Sequence, residues 1–228
     1  MQVQQLTEQI HQIRLGRINC YLVEDHRRAV LIDTGLPAHA PHLLRLLGER
    51  DIALAAILLT HRHLDHTGSA AALAAATGAT VVIHEADAAA VQGHERLSPL
   101  RGVLNLALGP LVALLDRRVF RFQPCPVTSV KEGWQGHGLR LVHLPGHTPG
   151  HSGYVHEASG VILAGDAAIG AASDRVRPPS RLFTLDRAAA CRSQLRLAML
   201  RAPIYGFGHG PALLDCAALE RLDRTACA

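Results

Sequence analysis

The chain is organised around nine residues, Thr60-His61-Arg62-His63-Leu64-Asp65-His66-Thr67-Gly68, which place three histidines and one aspartate within six positions. They follow an apolar run, residues 53–59, whose length and bounding polar turn predict a buried strand. Side chains alternate along an extended backbone, so His61 and His63 at the strand end point the same way. Asp65 and His66 lie where the chain turns into a predicted helix over residues 69–76. Imidazoles beside a carboxylate suit a borderline-soft divalent metal, so this stretch predicts a metal site.

An alternative is that these histidines are surface residues on a polar loop. The chain contains 15 histidines, and short motifs carry false positives. An isolated His-x-His pair would leave the two interpretations evenly balanced. The full His-x-His-x-Asp-His pattern at the end of a buried strand favours metal binding, and further ligands downstream would strengthen that interpretation.

The composition indicates a soluble globular protein. Of 228 residues, 48% are hydrophobic and 18% are charged, which is unlike a disordered chain. This length can bury a sizeable core, so we expect a single domain over residues 1–228. The net charge of +4 is mild and the basic residues are scattered, so we expect no nucleic-acid partner.

Two features bear on the compartment. Residues 1–5 lack a basic region followed by an apolar core, so the sequence predicts no signal peptide. The five cysteines form no C-x-x-C pair, and their odd number predicts reduced thiols in a cytoplasmic protein.

The apolar segment 97–115 is the one stretch that suggests a membrane. Arg101, Asn105, Gly109 and Pro110 interrupt it, so its apolar pieces are too short to span a bilayer, and we expect no membrane partner. We interpret it as a lid over an apolar substrate pocket or as a homodimer interface, with a core helical hairpin as the alternative.

Apolar runs and turn residues predict the order of the elements. Short strands over residues 10–15, 19–24 and 29–32 favour an antiparallel meander. A helix over 41–50, a strand over 80–83 and a helix over 85–91 then surround the central motif, an alternation typical of layered sheet-and-helix folds. Further strands are predicted over 119–122, 127–130, 139–144, 152–156, 161–164 and 204–207, and helices over 187–200 and 212–224.

Three later strand ends also carry metal-binding residue types. His147 lies in a turn rich in glycine and proline, Asp166 follows Gly165 at the end of a hairpin, and His209 stands between two glycines. Such turns are usual places for functional side chains. Together with the central motif they predict one site gathered at the rim of a sheet.

Three further polar residues have roles that the spacing leaves open. Asp33 is either a turn former or an acceptor of a hydrogen bond from a metal-bound imidazole. We interpret His84 as a structural residue. His151 is close enough to His147 to support a ligand, with an ordinary structural role as the alternative.

On these motifs the sequence resembles the metallo-β-lactamase superfamily. The family hallmarks are His-x-His-x-Asp-His, a later Gly-His-Thr turn, a Gly-Asp pair and a C-terminal Gly-His, and residues 19–23 and 31–35 are similar to the family's opening. The resemblance covers nearly the whole chain. It implies an α+β fold, a four-layer αββα sandwich with metals at one edge of its two sheets.

The resemblance also implies a ligand set and a chemistry. His61, His63 and His147 would hold the first metal, Asp65, His66 and His209 the second, and Asp166 would bridge them. Two divalent ions, with zinc favoured over iron or manganese, would share a water and lower its pKa. Asp65 would carry the proton. The implied function is a binuclear hydrolase that uses a metal-bridging hydroxide on a small ester, thioester or lactone.

Differences from the family motifs indicate which branch of the superfamily the sequence resembles. Asp166 stands where the two-zinc β-lactamases commonly carry cysteine, and Ile169 lies where acyl-homoserine lactonases usually place tyrosine. The tail after His209 is short for glyoxalase II. Residues 177–179, 183–186 and 207–210 resemble the YflN-like branch of small bacterial hydrolases, which is related to glyoxalase II.

Three alternatives remain open. The first is a mononuclear iron dioxygenase of the same fold that acts on glutathione persulfide. The second is an RNA phosphodiesterase, for which no basic arm is apparent. The third is a non-catalytic metal-binding relative.

Overall fold

The computed structural model describes residues 1–95, 122–171 and 175–214. The strands are β1 (Gln2–Gln5), β2 (Ile10–Leu15), β3 (Ile18–Asp25), β4 (Arg28–Ile32), β5 (Ala53–Leu58), β6 (Thr80–His84), β7 (Thr128–Val130), β8 (Gln135–Gly136), β9 (Leu139–His143), β10 (Ser152–His156), β11 (Ile162–Leu163), β12 (Ile169–Ala171), β13 (Arg175–Arg177) and β14 (Tyr205–Gly206). The helices are α1 (Ala40–Glu49), α2 (Leu64–Thr67), α3 (Ala70–Thr77), α4 (Glu85–Val91) and α5 (Arg187–Met199), with 3₁₀ turns at Pro37–His39 and Gly165–Ala167.

Most of the strands form two sheets. Strands β1 to β7 lie in sequence order in the first sheet, antiparallel as far as β4 and parallel from β4 to β7. The second sheet has the order β14-β11-β10-β9-β8 and is antiparallel except between β11 and β14. Strands β12 and β13 make a separate two-stranded ribbon. The predicted meander is confirmed.

Three apolar cores separate four layers. Along β3, Cys20 and Leu22 pack into the core between the first sheet and helices α1 and α3. Tyr21 and Val23 alternate with them and pack into the core between the two sheets. A third core joins the second sheet to α5 through Leu197. Burial of each such side chain contributes roughly 1.5–3 kcal/mol. The layers confirm the α+β, αββα sandwich.

Some sequence predictions differ from the structure. The ribbon strand β13 occupies residues expected to form a loop, and residues 212–214, expected to begin a helix, are not helical, because Leu213 bridges to Tyr205. Residues 97–115, most of the strand expected over 119–122 and the rest of the terminal helix lie outside the described residues.

The cysteines only partly match the prediction of reduced thiols. Cys20 and Cys125 are free and buried, but Cys191 is disulfide-bonded, so the prediction is wrong at that position. In the described part of the chain, no helix combines the length and the apolarity that a membrane crossing requires.

Candidate metal centre

The structure brings all seven predicted ligands to one edge of the sandwich. His61 and His63 follow the end of β5, His147 lies in the turn from β9 to β10, Asp166 follows β11 and His209 follows β14. Three sets of ligand atoms are compact enough to hold an ion, each with its atoms within 4.8 Å of one another. These sets are His61, His63 and His147; His61, His66 and Asp166; and Asp65, His66 and His209.

The first group, which is the set of His61, His63 and His147, consists of three imidazoles. The Nε2 atoms of His61 and His147 lie 3.1 and 3.0 Å from Nδ1 of His63. Three ring nitrogens therefore converge on one point. Burial lowers the pKa of His61 and of His63 well below the ordinary value, and neighbouring imidazoles lower each further. These rings are neutral at pH 7, which is the form that binds a metal.

The second group, which is the set of Asp65, His66 and His209, mixes imidazoles with a carboxylate. Nε2 of His209 lies 3.3 Å from Oδ2 of Asp65, and Nε2 of His66 lies 3.6 Å from the same oxygen. Asp166 lies between the two groups. Its Oδ1 is 3.7 Å from His66, and its Oδ2 is 3.5 Å from His147 and 3.4 Å from His209. This carboxylate is placed to serve both groups.

Charges in the second group are arranged as ion pairs. Burial opposes protonation of His66, but the carboxylates of Asp65, Asp166 and Asp33 raise its pKa to about 9. Burial likewise opposes protonation of His209, but hydrogen bonds to Asp166 and Asp65 raise its pKa to about 11. In the metal-free protein the positive charges of the His66 and His209 imidazolium groups therefore offset the negative charges of the carboxylates. A bound divalent ion would supply the same positive charge.

Hydrogen bonds fix the outer ring nitrogens. Nδ1 of His66 donates to Oδ2 of Asp33 over 2.8 Å, and Nδ1 of His209 donates to the Arg17 carbonyl over 2.8 Å. Nδ1 of His147 lies 3.2 Å from the Thr184 hydroxyl. Such contacts set the tautomer and aim the other nitrogen at a metal. The exception is His63, whose Nε2 is buried without a hydrogen-bond partner.

Two inward-facing atoms test whether the cluster fits metal ions. Nε2 of His66 and Oδ1 of Asp166 are buried and have no hydrogen-bond partner. Buried polar atoms are seldom left in this state, and an ion held by either atom would remove the deficit. The donor set of imidazole nitrogens and carboxylate oxygens suits zinc, iron or manganese. The residues present therefore fit metal binding.

The cluster is open to solvent on one side. The side chains of Asp65 and His209 are 36% and 24% exposed, whereas that of His66 is fully buried. Burial raises the pKa of Asp65, but His66 and His209 lower it more strongly, to about 2. An ionised carboxylate thus stands at the open side of the cluster.

The structure decides the role of Asp33. Its Oδ1 accepts from the Thr60 backbone N–H and its Oδ2 from the Thr60 hydroxyl, both over 2.8 Å. Because that hydroxyl donates to Asp33, it accepts from Nδ1 of His61, 3.0 Å away. Asp33 therefore orients His66 directly and His61 through Thr60.

Asp87 is a supporting residue that the sequence analysis missed. It lies fully buried in α4 and accepts from the Thr148 hydroxyl at 2.5 Å, the Gly150 N–H at 3.1 Å and the Arg62 N–H at 3.3 Å. It thereby joins the loop of His61 and His63 to the turn of His147. An acidic residue on the buried face of an alanine-rich helix was the available signal.

The two histidines with open roles behave differently. His151 donates through Nδ1 to the Leu144 carbonyl, and its Nε2 accepts from the Asp166 N–H over 2.9 Å. It supports Asp166 and belongs to none of the three ligand sets. Nδ1 of His84 accepts from the Ala86 N–H at the start of α4, in agreement with a structural role.

Comparisons with known proteins agree with this geometry. The hydroxyacylglutathione hydrolase GloC of Haemophilus influenzae is 32% identical over 150 residues, 65% of this chain and 65% of GloC. The probable metallo-hydrolase YflN of Bacillus subtilis is 27% identical over 225 residues, 88% of this chain and 83% of YflN. The crystal structure of TTHA1623 in a di-iron-bound form superposes with a TM-score of 0.72 at 29% identity, covering 94% of this chain and 98% of that one.

A family model spans the whole site. The model of the Metallo-beta-lactamase superfamily matches residues 13–209, which include every candidate ligand from His61 to His209. The match covers most of the chain, and the αββα layers and the His/Asp cluster are those that the sequence motifs predict. The chain therefore belongs to the metallo-β-lactamase superfamily.

Proposed function

We propose that the protein is a hydrolase that holds two divalent metal ions, with zinc favoured, and cleaves a small ester, thioester or lactone. The observation that carries this proposal is the pair of adjacent ligand groups that share Asp166. A cluster for one ion would need only one of these groups. His61, His63 and His147 would hold one ion, and Asp65, His66 and His209 the other.

Bound divalent ions at this site would supply Lewis-acid polarisation of a carbonyl oxygen and a water of lowered pKa. The chain's own residues contribute positioning and proton handling. Asp33 and Thr184 hold the imidazole rings in place, so little reorganisation is needed during reaction. Asp65 stands at the open side in ionised form and can accept a proton from the attacking water. The same carboxyl group would then pass that proton to the leaving group.

The substrate class rests on similarity. GloC is named a hydroxyacylglutathione hydrolase, and a hydroxyacylglutathione is a thioester. The present chain spans 65% of the length of GloC. A thioester substrate for this chain is therefore a proposal. Esters and lactones share with thioesters the acyl carbon that a water would attack.

The test uses metal-loaded protein and matched compounds with one acyl group carried as an ester, a thioester and a lactone. Asp65→Asn keeps the size of the side chain but removes the proton acceptor and the charge of one candidate ligand. At metal content matched to that of the wild-type protein, we expect kcat to fall about 10²–10⁴-fold. His42→Ala, an exposed histidine on α1, serves as the control and should retain wild-type kcat. Failure of fully loaded wild-type protein to cleave any member of the panel would contradict the proposal.

The alternative of the same fold is the mononuclear iron dioxygenase that acts on glutathione persulfide. It predicts one iron per chain and oxygen uptake when the persulfide is added. The di-iron form of TTHA1623 makes iron a reasonable metal to test here, but two ligand groups favour two ions. Oxygen uptake with a single bound iron would replace the hydrolase proposal.

A further inference from the structure

The segment 175–187 connects a strand next to the second ligand group with the turn that carries His147 of the first. At its start, β13 pairs with β12, and Gly170 of β12 donates its N–H to the His209 carbonyl over 3.0 Å. At its end, the Leu185 N–H donates to the His147 carbonyl over 3.2 Å. The segment is therefore attached to one candidate ligand directly near its end and to another through β12 at its start.

A tight turn within this segment is fixed directly to His147. The Thr184 hydroxyl donates to the Ser180 carbonyl over 2.8 Å, so it accepts from Nδ1 of His147, 3.2 Å away. Arg181, Leu182 and Phe183 lie between these two ends and are exposed. Leu182 and Phe183 are 50% and 40% exposed, so this turn presents two neighbouring apolar side chains to solvent.

The same segment carries an excess of positive charge. Arg175, Arg177, Arg181 and Arg187 are all exposed, and none forms an ion pair with a carboxylate in the described part of the chain. The single described carboxylate of the segment, Asp186, caps α5 by accepting from the Ala189 N–H over 3.0 Å. The guanidinium groups are thus available to an external anion.

Two of these arginines share a cleft with the residue that holds His147. Arg181, Arg187 and Thr184 line a cleft between the turn and α5. One threonine side chain therefore separates the cleft from a candidate metal ligand. Thr184 contacts Nδ1 of His147, whereas Nε2 of that ring faces His63, so an anion bound in the cleft would lie outside the metal cluster.

We propose that this cleft binds an anionic group, a phosphate or a carboxylate, on the leaving group of the substrate. The inference rests on the proposed hydrolase function and narrows its substrate to acyl compounds of an anionic carrier. The planar fork of arginine matches the geometry of both anions. Leu182 and Phe183, on the same turn, would contact the uncharged part of the carrier.

Binding tests the inference without any reaction. We would titrate metal-loaded full-length protein with three thioethers, which cannot be hydrolysed: S-butyl coenzyme A, S-butyl glutathione and the neutral S-butyl N-acetylcysteamine. Wild-type protein should bind at least one anionic thioether about 10-fold or more tightly than the neutral one, as expected for charge-assisted contacts. Arg181→Gln/Arg187→Gln should remove that preference.

A matched control and a kinetic arm complete the test. Arg45→Gln/Arg192→Gln removes the same charge from positions on α1 and α5 that do not line the cleft and should keep the preference. With butyryl thioesters of the same three carriers, the cleft variant should raise KM for the anionic carriers and leave kcat/KM for the neutral one unchanged.

The outcomes separate this inference from the proposed function. A preference for coenzyme A alone identifies a phosphate, and an equal preference for glutathione identifies any anion; both support the inference. Equal binding of all three thioethers by wild-type protein, or an undiminished preference in the cleft variant, would overturn it. Arginine-dependent binding without hydrolysis of any thioester would leave the inference standing and reject the proposed function.

Discussion

Replacing Asp33 by asparagine should weaken both candidate metal sites at once. In the structure this carboxylate accepts from the Thr60 N–H, the Thr60 hydroxyl and Nδ1 of His66, each over 2.8 Å. Asparagine has the same shape, and it tolerates the positive φ of 57° at this position. In either orientation of the amide, however, its NH₂ group would face a buried N–H donor.

The magnitude follows from that mismatch. A buried donor without an acceptor costs about 1–3 kcal/mol, so the metal-free protein should lose stability by about that amount. Loss of a hydrogen-bond partner of a metal ligand weakens metal affinity about 10–100-fold. Because Asp33 orients His66 directly and His61 through Thr60, both metal ions should be affected. Thr60→Val breaks only the second connection and should weaken mainly the group that contains His61.

The assay is a competition titration with a zinc chelator, together with urea denaturation of metal-free protein. Asp25→Asn is the control, because that aspartate is 82% exposed and its replacement removes the same charge. The control should match wild-type protein in both measurements. If Asp33→Asn kept wild-type affinity for both ions and an unchanged denaturation midpoint, the proposed hydrogen-bond relay would be wrong.

The remaining predictions concern the support of the cluster and its protons. Asp87→Ala leaves buried donors of two loops without an acceptor and should lower the denaturation midpoint, with an expected cost of at least about 1–3 kcal/mol; an unchanged midpoint would reject this clamp. In Gly208→Ala the new methyl group would meet the Asp166 carboxylate, so calorimetry should show weaker binding of both ions, and unaltered isotherms would contradict that. Because the folded-state pKa values of His66 and His209 are about 9 and 11, both are protonated at pH 7 without metal. Binding of a metal ion by the second group should therefore release about two protons, and the affinity of this group for the ion should rise with pH. Calorimetry in buffers of different ionisation enthalpy measures the number of protons released, and a value of zero would disprove the prediction.

The seven candidate ligands could be predicted because they lie shortly after strands, with Asp65 and His66 in the short helix α2 and the others in turns of distinctive composition. His147, Asp166 and His209 are all next to glycine, and the strands before them end at the same rim. The layer order was implied by the family resemblance, and the alternation along β3, which places Tyr21 and Leu22 on opposite faces, agrees with it.

The supporting residues could not be predicted in the same way. The role of Asp33 depends on the parallel register in which Ile32 of β4 faces Leu58 of β5, because this register brings Asp33 beside Thr60, two residues beyond the end of β5. Asp87 contacts Thr148 across 61 positions of the chain, and no local pattern encodes that distance. The strands β12 and β13 have three residues each, too few for alternation to show.

Metal content per chain tests the central claim most directly. The protein would be purified without a chelator and without a histidine tag, reconstituted with zinc, freed of unbound ion and measured by elemental analysis. The shared Asp166 and the two ligand groups predict two zinc ions per chain, falling towards one when His209 is replaced by alanine. One ion or none bound by the wild-type protein after reconstitution would contradict the binuclear centre.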